Sequence, residues 1–304
     1  MSYFLAIDAG GTKTDYVLAD ETRELARVRT GTIKRMRTDE NSAARNLDQA
    51  LAELTRLSGV PMSAIDRTCI GTAGETVRLV TDWLRTAFST RVAGELILLG
   101  DVEIALEAAF KGGPGVLVMA GTGSNVAGRD VTGRLSTAGG WGPALADQGS
   151  GHKIGHHALR AMFLALDEGR ESQLLPAVME FWQLGSLDEL IGFANQIPSP
   201  DFSQLTPLVL RCADAGDEIA QSVFQNEGED LGYLVRLMMR RLCAVSPDPS
   251  WTPQLAFTGS IIEKIGRLRE SLIAAVQAEF PAVDVMEGAV DPLEGALWRA
   301  RTGR

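Results

Sequence analysis

Cysteine is scarce in this 304-residue chain: Cys69, Cys212 and Cys243 are the only three. They are odd in number, widely spaced and without a CxxC pair, so neither a disulfide framework nor a zinc or iron–sulfur ligand pattern is indicated, and a reducing, cytoplasmic setting is expected. Histidine is as scarce, with His152, His156 and His157 falling together. His152 and His156 share a helical face, but HKIGH lacks the acid of HExxH and no third ligand stands near, so packing or surface roles are expected rather than zinc. Positive charge is in deficit, with 29 Lys and Arg against 39 Asp and Glu. The net charge of -10 disfavours nucleic acid and anionic membranes as partners. No run approaches the about 18 apolar residues of a membrane span. Met1-Ser2-Tyr3-Phe4 lacks a basic leader, so secretion is not indicated. GxxxxGK[ST] is absent, and Gly121-x-Gly123 has Val126 where GxGxxG needs its third glycine, which disfavours P-loop and Rossmann sites.

What is present is an ordinary globular composition, 45% hydrophobic and 22% charged, in a chain long enough for two domains of about 100–150 residues each. Residues 3–7 read as a buried strand and 14–19 as its return, around the turn Asp8-Ala9-Gly10-Gly11-Thr12-Lys13. The same plan recurs at 115–119 and 126–128 around Ala120-Gly121-Thr122-Gly123-Ser124-Asn125. Helical spacing is predicted over 41–58, 102–111, 151–167, 219–244, 261–279 and 292–301, and short strands at 67–70, 96–99 and 254–258. Gly112-Gly113-Pro114-Gly115 interrupts both kinds of pattern. It suggests a first domain of residues 1–114, completed by the C-terminal helix from about 288–304, and a second of 115–287.

The chemistry concentrates in the turns. Asp8 at a strand end, followed by Gly10, Gly11, Thr12 and Lys13, suits a phosphate and its Mg²⁺: glycines let the backbone approach, backbone N–H groups bind the anion, and the carboxylate holds metal-bound water. A plain hairpin turn would also use glycine. Gly121, Thr122 and Gly123 repeat the theme, so that two turns would grip a triphosphate. Asp101 sits at a strand-to-helix junction.

DAGGTKT at 8–14, AGTGSN at 120–125 and FTGSIIEK at 257–264 resemble the two phosphate motifs and the adenosine motif of the actin/hexokinase/Hsp70 ATPases. GGWG at 139–142 and DQGSGHKIG at 147–155 narrow the resemblance to the BadF/BadG/BcrA/BcrD ATPase family, in its N-acetylglucosamine kinase-like branch. That resemblance implies an α/β fold of two ribonuclease-H-like lobes, each a mixed five-stranded sheet flanked by helices, with ATP, Mg²⁺ and sugar in the cleft between them. It implies a homodimeric kinase that phosphorylates an amino sugar, most simply N-acetylglucosamine at its 6-hydroxyl, with glucosamine or muramic-type sugars as alternatives. Asp101 takes the part of general base, Asp8 that of the Mg²⁺ ligand through water, and Gly259 and Ser260 join the nucleotide site. Thr72, Gly74, Asn125, Gly140, Trp141, Gly142 and Asp147 are implied on the sugar side. On bland readings Trp141 would be a core aromatic and Asp147 a helix cap.

One stretch departs from the family. Where an asparagine for the sugar is usual, residues 31–38 read GTIKRMRT, with Lys34, Arg35 and Arg37. Two other functions share the family or the fold: an ATPase activating a 2-hydroxyacyl-CoA dehydratase, which needs cluster-binding thiolates, and a non-catalytic sugar sensor. The lack of a cysteine beside the second phosphate turn and the presence of GGWG with Asp147 argue against the first, and Asp101 against the second.

Overall fold

The computed structural model describes residues 1–303. Its strands and first helices run in order as β1 (Tyr3–Ala9), β2 (Lys13–Ala19), β3 (Glu24–Gly31), α1 (Glu40–Ser58), β4 (Ile65–Gly71), α2 (Arg78–Ser89), β5 (Glu95–Leu99) and α3 (Asp101–Phe110). There follow β6 (Gly115–Ala120), β7 (Ser124–Arg129), β8 (Leu135–Ala138), α4 (Gly151–Asp167), α5 (Leu174–Trp182), α6 (Leu187–Ala194), α7 (Thr206–Asp214) and α8 (Glu218–Cys243). The chain ends with β9 (Leu255–Thr258), α9 (Ser260–Lys264), α10 (Gly266–Gln277) and α11 (Pro292–Thr302). Two compact units result: Met1–Gly113 together with the segment from Val290 onward, and Pro114–Ala289.

In the first unit five strands lie in the order β3-β2-β1-β4-β5. Strand β1 is apolar on both faces, and the period of two sorts its side chains. Leu5 and Ile7 face a core with Leu47 and Leu54 of α1 and Leu84 of α2, whereas Phe4 and Ala6 face Ile104 of α3 and Leu293 and Leu297 of α11. The central strands pair in parallel, with Asp8 opposite Gly71 and Gly71 opposite Leu99. Their carboxyl ends therefore meet at one edge, the usual ligand edge of a parallel sheet.

The second unit repeats the hairpin and adds helices. Its order is β8-β7-β6-β9, four strands rather than the expected five. The fifth place holds a single parallel bridge of Val285 to Leu255, in the segment between Pro281 and Gly288, the latter at φ 74°. The pattern over 261–279 is likewise broken: Ile265, at φ −106° and ψ 86°, separates α9 from α10.

Candidate functional site

At the carboxyl edge of the first sheet, β1 delivers Asp8 into the Gly10-Gly11 turn and β5 delivers Asp101 as the first residue of α3. Both carboxylates are half-buried. Burial, and then the neighbouring Asp101, push Asp8 up to about 6; Asp15 and Asp291 add to the effect and Lys13 opposes it. Burial also raises Asp101, with Glu75 adding to it, while the Val102 N–H (2.9 Å to Oδ1) and Lys34 pull it down. Asp8 makes no ion pair among the described residues. The lysine of the motif does not serve it: Lys13 Nζ lies 3.6 Å from Asp15, which also accepts from Arg29 Nε at 2.5 Å. Thr12 is exposed. Thr72 is buried and ties the strand ends together, its N–H donating to Leu99 O and its hydroxyl to Ala9 O. Gly74 packs beside Met36 and Val77.

The turn rests on the loop that follows β3. Thr32 Oγ1 donates to Gly10 O (2.7 Å), Asn46 Nδ2 to Thr32 O (2.9 Å), and Ile33 N to Thr14 Oγ1 (3.1 Å). Neither Thr32 nor Asn46 announces itself in the sequence, because both act through backbone groups of distant residues.

In the second unit the turn after β6 closes on itself through Gly121 N to Gly123 O (2.8 Å), and the start of α4 packs on it through Gly151 N to Gly121 O (2.8 Å). Asp147 lies beneath this turn, only 2% exposed, and accepts from Ser124 N at 2.6 Å and Ser124 Oγ at 3.3 Å. It is not the cap of α4; Ser150 is, accepting from Lys153 N at 3.0 Å. Gly259, at φ 105°, sits where a Cβ would strike the Ala120 carbonyl, so the ends of β6 and β9 can touch only with glycine there. Ser260 then opens α9. Gly140, at φ 71°, packs on Asn125, whose buried Oδ1 has no hydrogen-bond partner. Trp141 is 70% exposed, which removes the core-aromatic reading; its N–H bonds Ala146 O across a small loop that includes Gly142. Sequence reading passed over Glu227. This 1% exposed carboxylate of α8 accepts from Gly149 N at 2.7 Å and pairs with His157 Nδ1, bracing the DQGSG segment. The available signal was an acid at a position where the helical stripe through Val223, Phe224 and Leu231 calls for an apolar residue.

The profile of the BadF/BadG/BcrA/BcrD ATPase family matches residues 5–300. The chain belongs to that family. Among its curated relatives is an N-acetylmuramic acid/N-acetylglucosamine kinase of Clostridium acetobutylicum, 26% identical over 310 aligned positions that cover 99% of each chain. Another is an N-acetyl-D-glucosamine kinase of Dictyostelium discoideum, 29% identical over 313 positions covering 96% of each. A solved structure of a candidate N-acetylglucosamine kinase from Chromobacterium violaceum superposes with a TM-score of 0.72 at 25% identity, covering 98% of both chains. For this ATPase family member, the glycine turns and the two raised carboxylates are thus the features to be explained.

Proposed function

We propose that the chain is an ATP-dependent kinase that transfers the γ-phosphoryl group to a hydroxyl of an amino sugar, with N-acetylglucosamine the leading acceptor and its 6-hydroxyl the acceptor oxygen. The observation that carries this reading is Asp101: a half-buried carboxylate of raised pKa, held by the N–H of Val102 at its own helix N-terminus and placed at the sheet edge that holds the first glycine turn. It agrees with the names of two relatives that align along nearly the whole chain.

In this reading Asp101 accepts the proton of the sugar hydroxyl as that oxygen bonds to the γ-phosphorus and the bond to the ADP oxygen breaks, giving sugar phosphate and ADP. Burial makes Asp101 a stronger base than a solvated carboxylate, and the bond from Val102 N holds its orientation. The backbone of Gly10, Gly11 and Thr12, and separately that of Gly121, Thr122 and Gly123, provides phosphate cradles. Gly259 and Ser260 are assigned to the nucleotide. Asp8, desolvated and without a cation of its own, fits Mg²⁺ held through water, which would supply charge neutralisation at the phosphate oxygens. Asn125, with its unpartnered Oδ1, Gly140 and Trp141 are assigned to the acceptor, along with Thr72, Gly74 and Gly142. Asp147 is assigned a supporting part, since its Oδ1 already holds Ser124. A homodimer in the cytoplasm accompanies the reading as an expectation.

The test is ATP consumption with Mg²⁺ against a panel of hexoses and amino sugars, with Asp101→Asn alongside. Sugar-dependent turnover that falls by about 10²–10⁴-fold in the variant is the expected result. ATP turnover indifferent to sugar, or none, would favour the activator or sensor reading.

A further inference from the structure

The basic loop at 32–38 is built into the first glycine turn instead of hanging from it. Thr32 Oγ1 donates to Gly10 O at 2.7 Å and in turn accepts from Lys34 N at 3.0 Å. Ile33 is buried, and the N–H groups of Arg37 and Thr38 both return to Lys34 O, at 2.8 and 3.2 Å. A solvated basic loop needs no such anchoring.

Its three cations differ. Arg35 is committed, with Nη1 on Thr38 O at 2.8 Å and Nη2 3.6 Å from Glu40. Lys34 and Arg37 make no ion pair among the described residues. The Arg37 side chain lies across Gly11, with Nε 3.8 Å and Cγ 3.9 Å from where a Cβ would stand. Lys34 is close enough for its charge to act on Asp101.

Carboxylates gather around them. Asp101, Asp15 and Asp291 all act on Asp8, although Arg29 pairs with Asp15 and Arg27 with Asp291, and the Glu75 carboxylate lies 3.4 Å from the Cβ position of Gly100. Lys13 is drawn off by Asp15. An anion arriving at this edge would meet like charges that cost several kcal/mol unless offset, and Lys34 and Arg37 are the cations left to offset them. We infer that Lys34 and Arg37 form a two-cation bracket that holds an oxyanion at the first glycine turn, supplied either by the nucleotide's terminal phosphate or by a carboxylate on the acceptor sugar. The planar Arg37 fork suits either group.

The inference rests on the kinase reading, and the experiment separates the two. Wild type, Arg37→Ala, Arg37→Lys and Lys34→Ala, full length and checked for unchanged thermal midpoint, are assayed with N-acetylglucosamine and with N-acetylmuramic acid, which carries a carboxylate. Binding of tripolyphosphate without sugar is measured by calorimetry. The expected result is a loss of about tenfold or more in kcat/KM for Arg37→Ala and Lys34→Ala, with Arg37→Lys retaining part. Loss with both sugars and weaker tripolyphosphate binding assigns the oxyanion to the nucleotide; loss confined to N-acetylmuramic acid assigns it to the acceptor. An active wild type with both alanine variants within about twofold of it in every arm overturns the bracket. Should wild type turn over no sugar, the kinase reading fails, and unchanged tripolyphosphate binding in the variants then overturns the bracket as well.

Discussion

As the proposed base, Asp101 must be ionised to accept a proton, so in that reading its environment sets an acid limit on turnover. Its pKa stands above the ordinary carboxylate value because burial and Glu75 favour the neutral form, against the Val102 N–H and Lys34; Asp8 lies on the same edge. The active, deprotonated form is present above that raised pKa and is lost as pH falls through it. Removing the Glu75 charge with Glu75→Gln is expected to move the acid limb of kcat/KM to lower pH. Lys34→Ala should move it to higher pH. A limb that stays in place in both variants would take Asp101 out of the base role. At this scale the sequence displayed its motif residues but not their engagements: DAGGTKT shows a lysine, yet nothing in that string shows Asp15 drawing it away from Asp8. Glu227 was hidden for the converse reason. A lone acid on an apolar stripe has meaning only when its partners, Gly149 N and His157, are 78 and 70 positions upstream and brought back by the fold.

Elements hold these residues by close approach, and two contacts set the tolerance. Gly295 of α11 lies where a Cβ would collide with the Ile104 carbonyl and Ala108 N of α3, the helix that begins at Asp101. Gly295→Ala must push the helices apart, an overpacking cost of about 1–3 kcal/mol. Urea unfolding should show that loss, and an unchanged midpoint would mean α3 and α11 are not in van der Waals contact at Gly295. In the second unit, Glu227→Ala strands the buried Gly149 N–H and leaves His157 without its carboxylate. A loss of about 1–3 kcal/mol is expected from the unsatisfied donor alone, together with a raised KM for ATP, since the same segment carries Asp147 and its bond to Ser124. Stability lost with KM unchanged would make Glu227 purely structural. Helices α1, α4 and α11 were legible because a full apolar stripe runs along each. Strand β3 was not: as an edge strand it alternates buried Ala26 and Thr30 with exposed positions, and its polar content reads as loop. Helix α5 carries Pro176 in its first turn, which reads as a breaker until its N-terminal position is known.

On the scale of the whole chain, the first unit is completed by a segment distant in sequence, from Val290 onward. Helix α11 buries Leu293, Ala296, Leu297 and Ala300 against Phe4, Ala6, Val17 and Cys69, and shares the cover of that sheet face with Ile104 of α3. Burying each leucine is worth about 1.5–3 kcal/mol, set against a net stability of about 5–15 kcal/mol. Leu293→Ala should therefore cost about 2–5 kcal/mol. Because the first glycine turn, the proposed phosphate cradle, belongs to this same unit, nucleotide binding there would be linked to helix docking. A ligand at a hundred times its Kd stabilises the bound form by about 2.7 kcal/mol. Mg-ATP is therefore expected to raise the thermal midpoint of Leu293→Ala and to return most of what the substitution removed. Asp101→Asn, which alters the proposed base but leaves the turn intact, should show the same ATP-induced rise as wild type. A variant at Leu293 that ATP fails to stabilise, with wild type responding, would mean that α11 is needed to form the turn; no response in either would place the nucleotide away from the first unit.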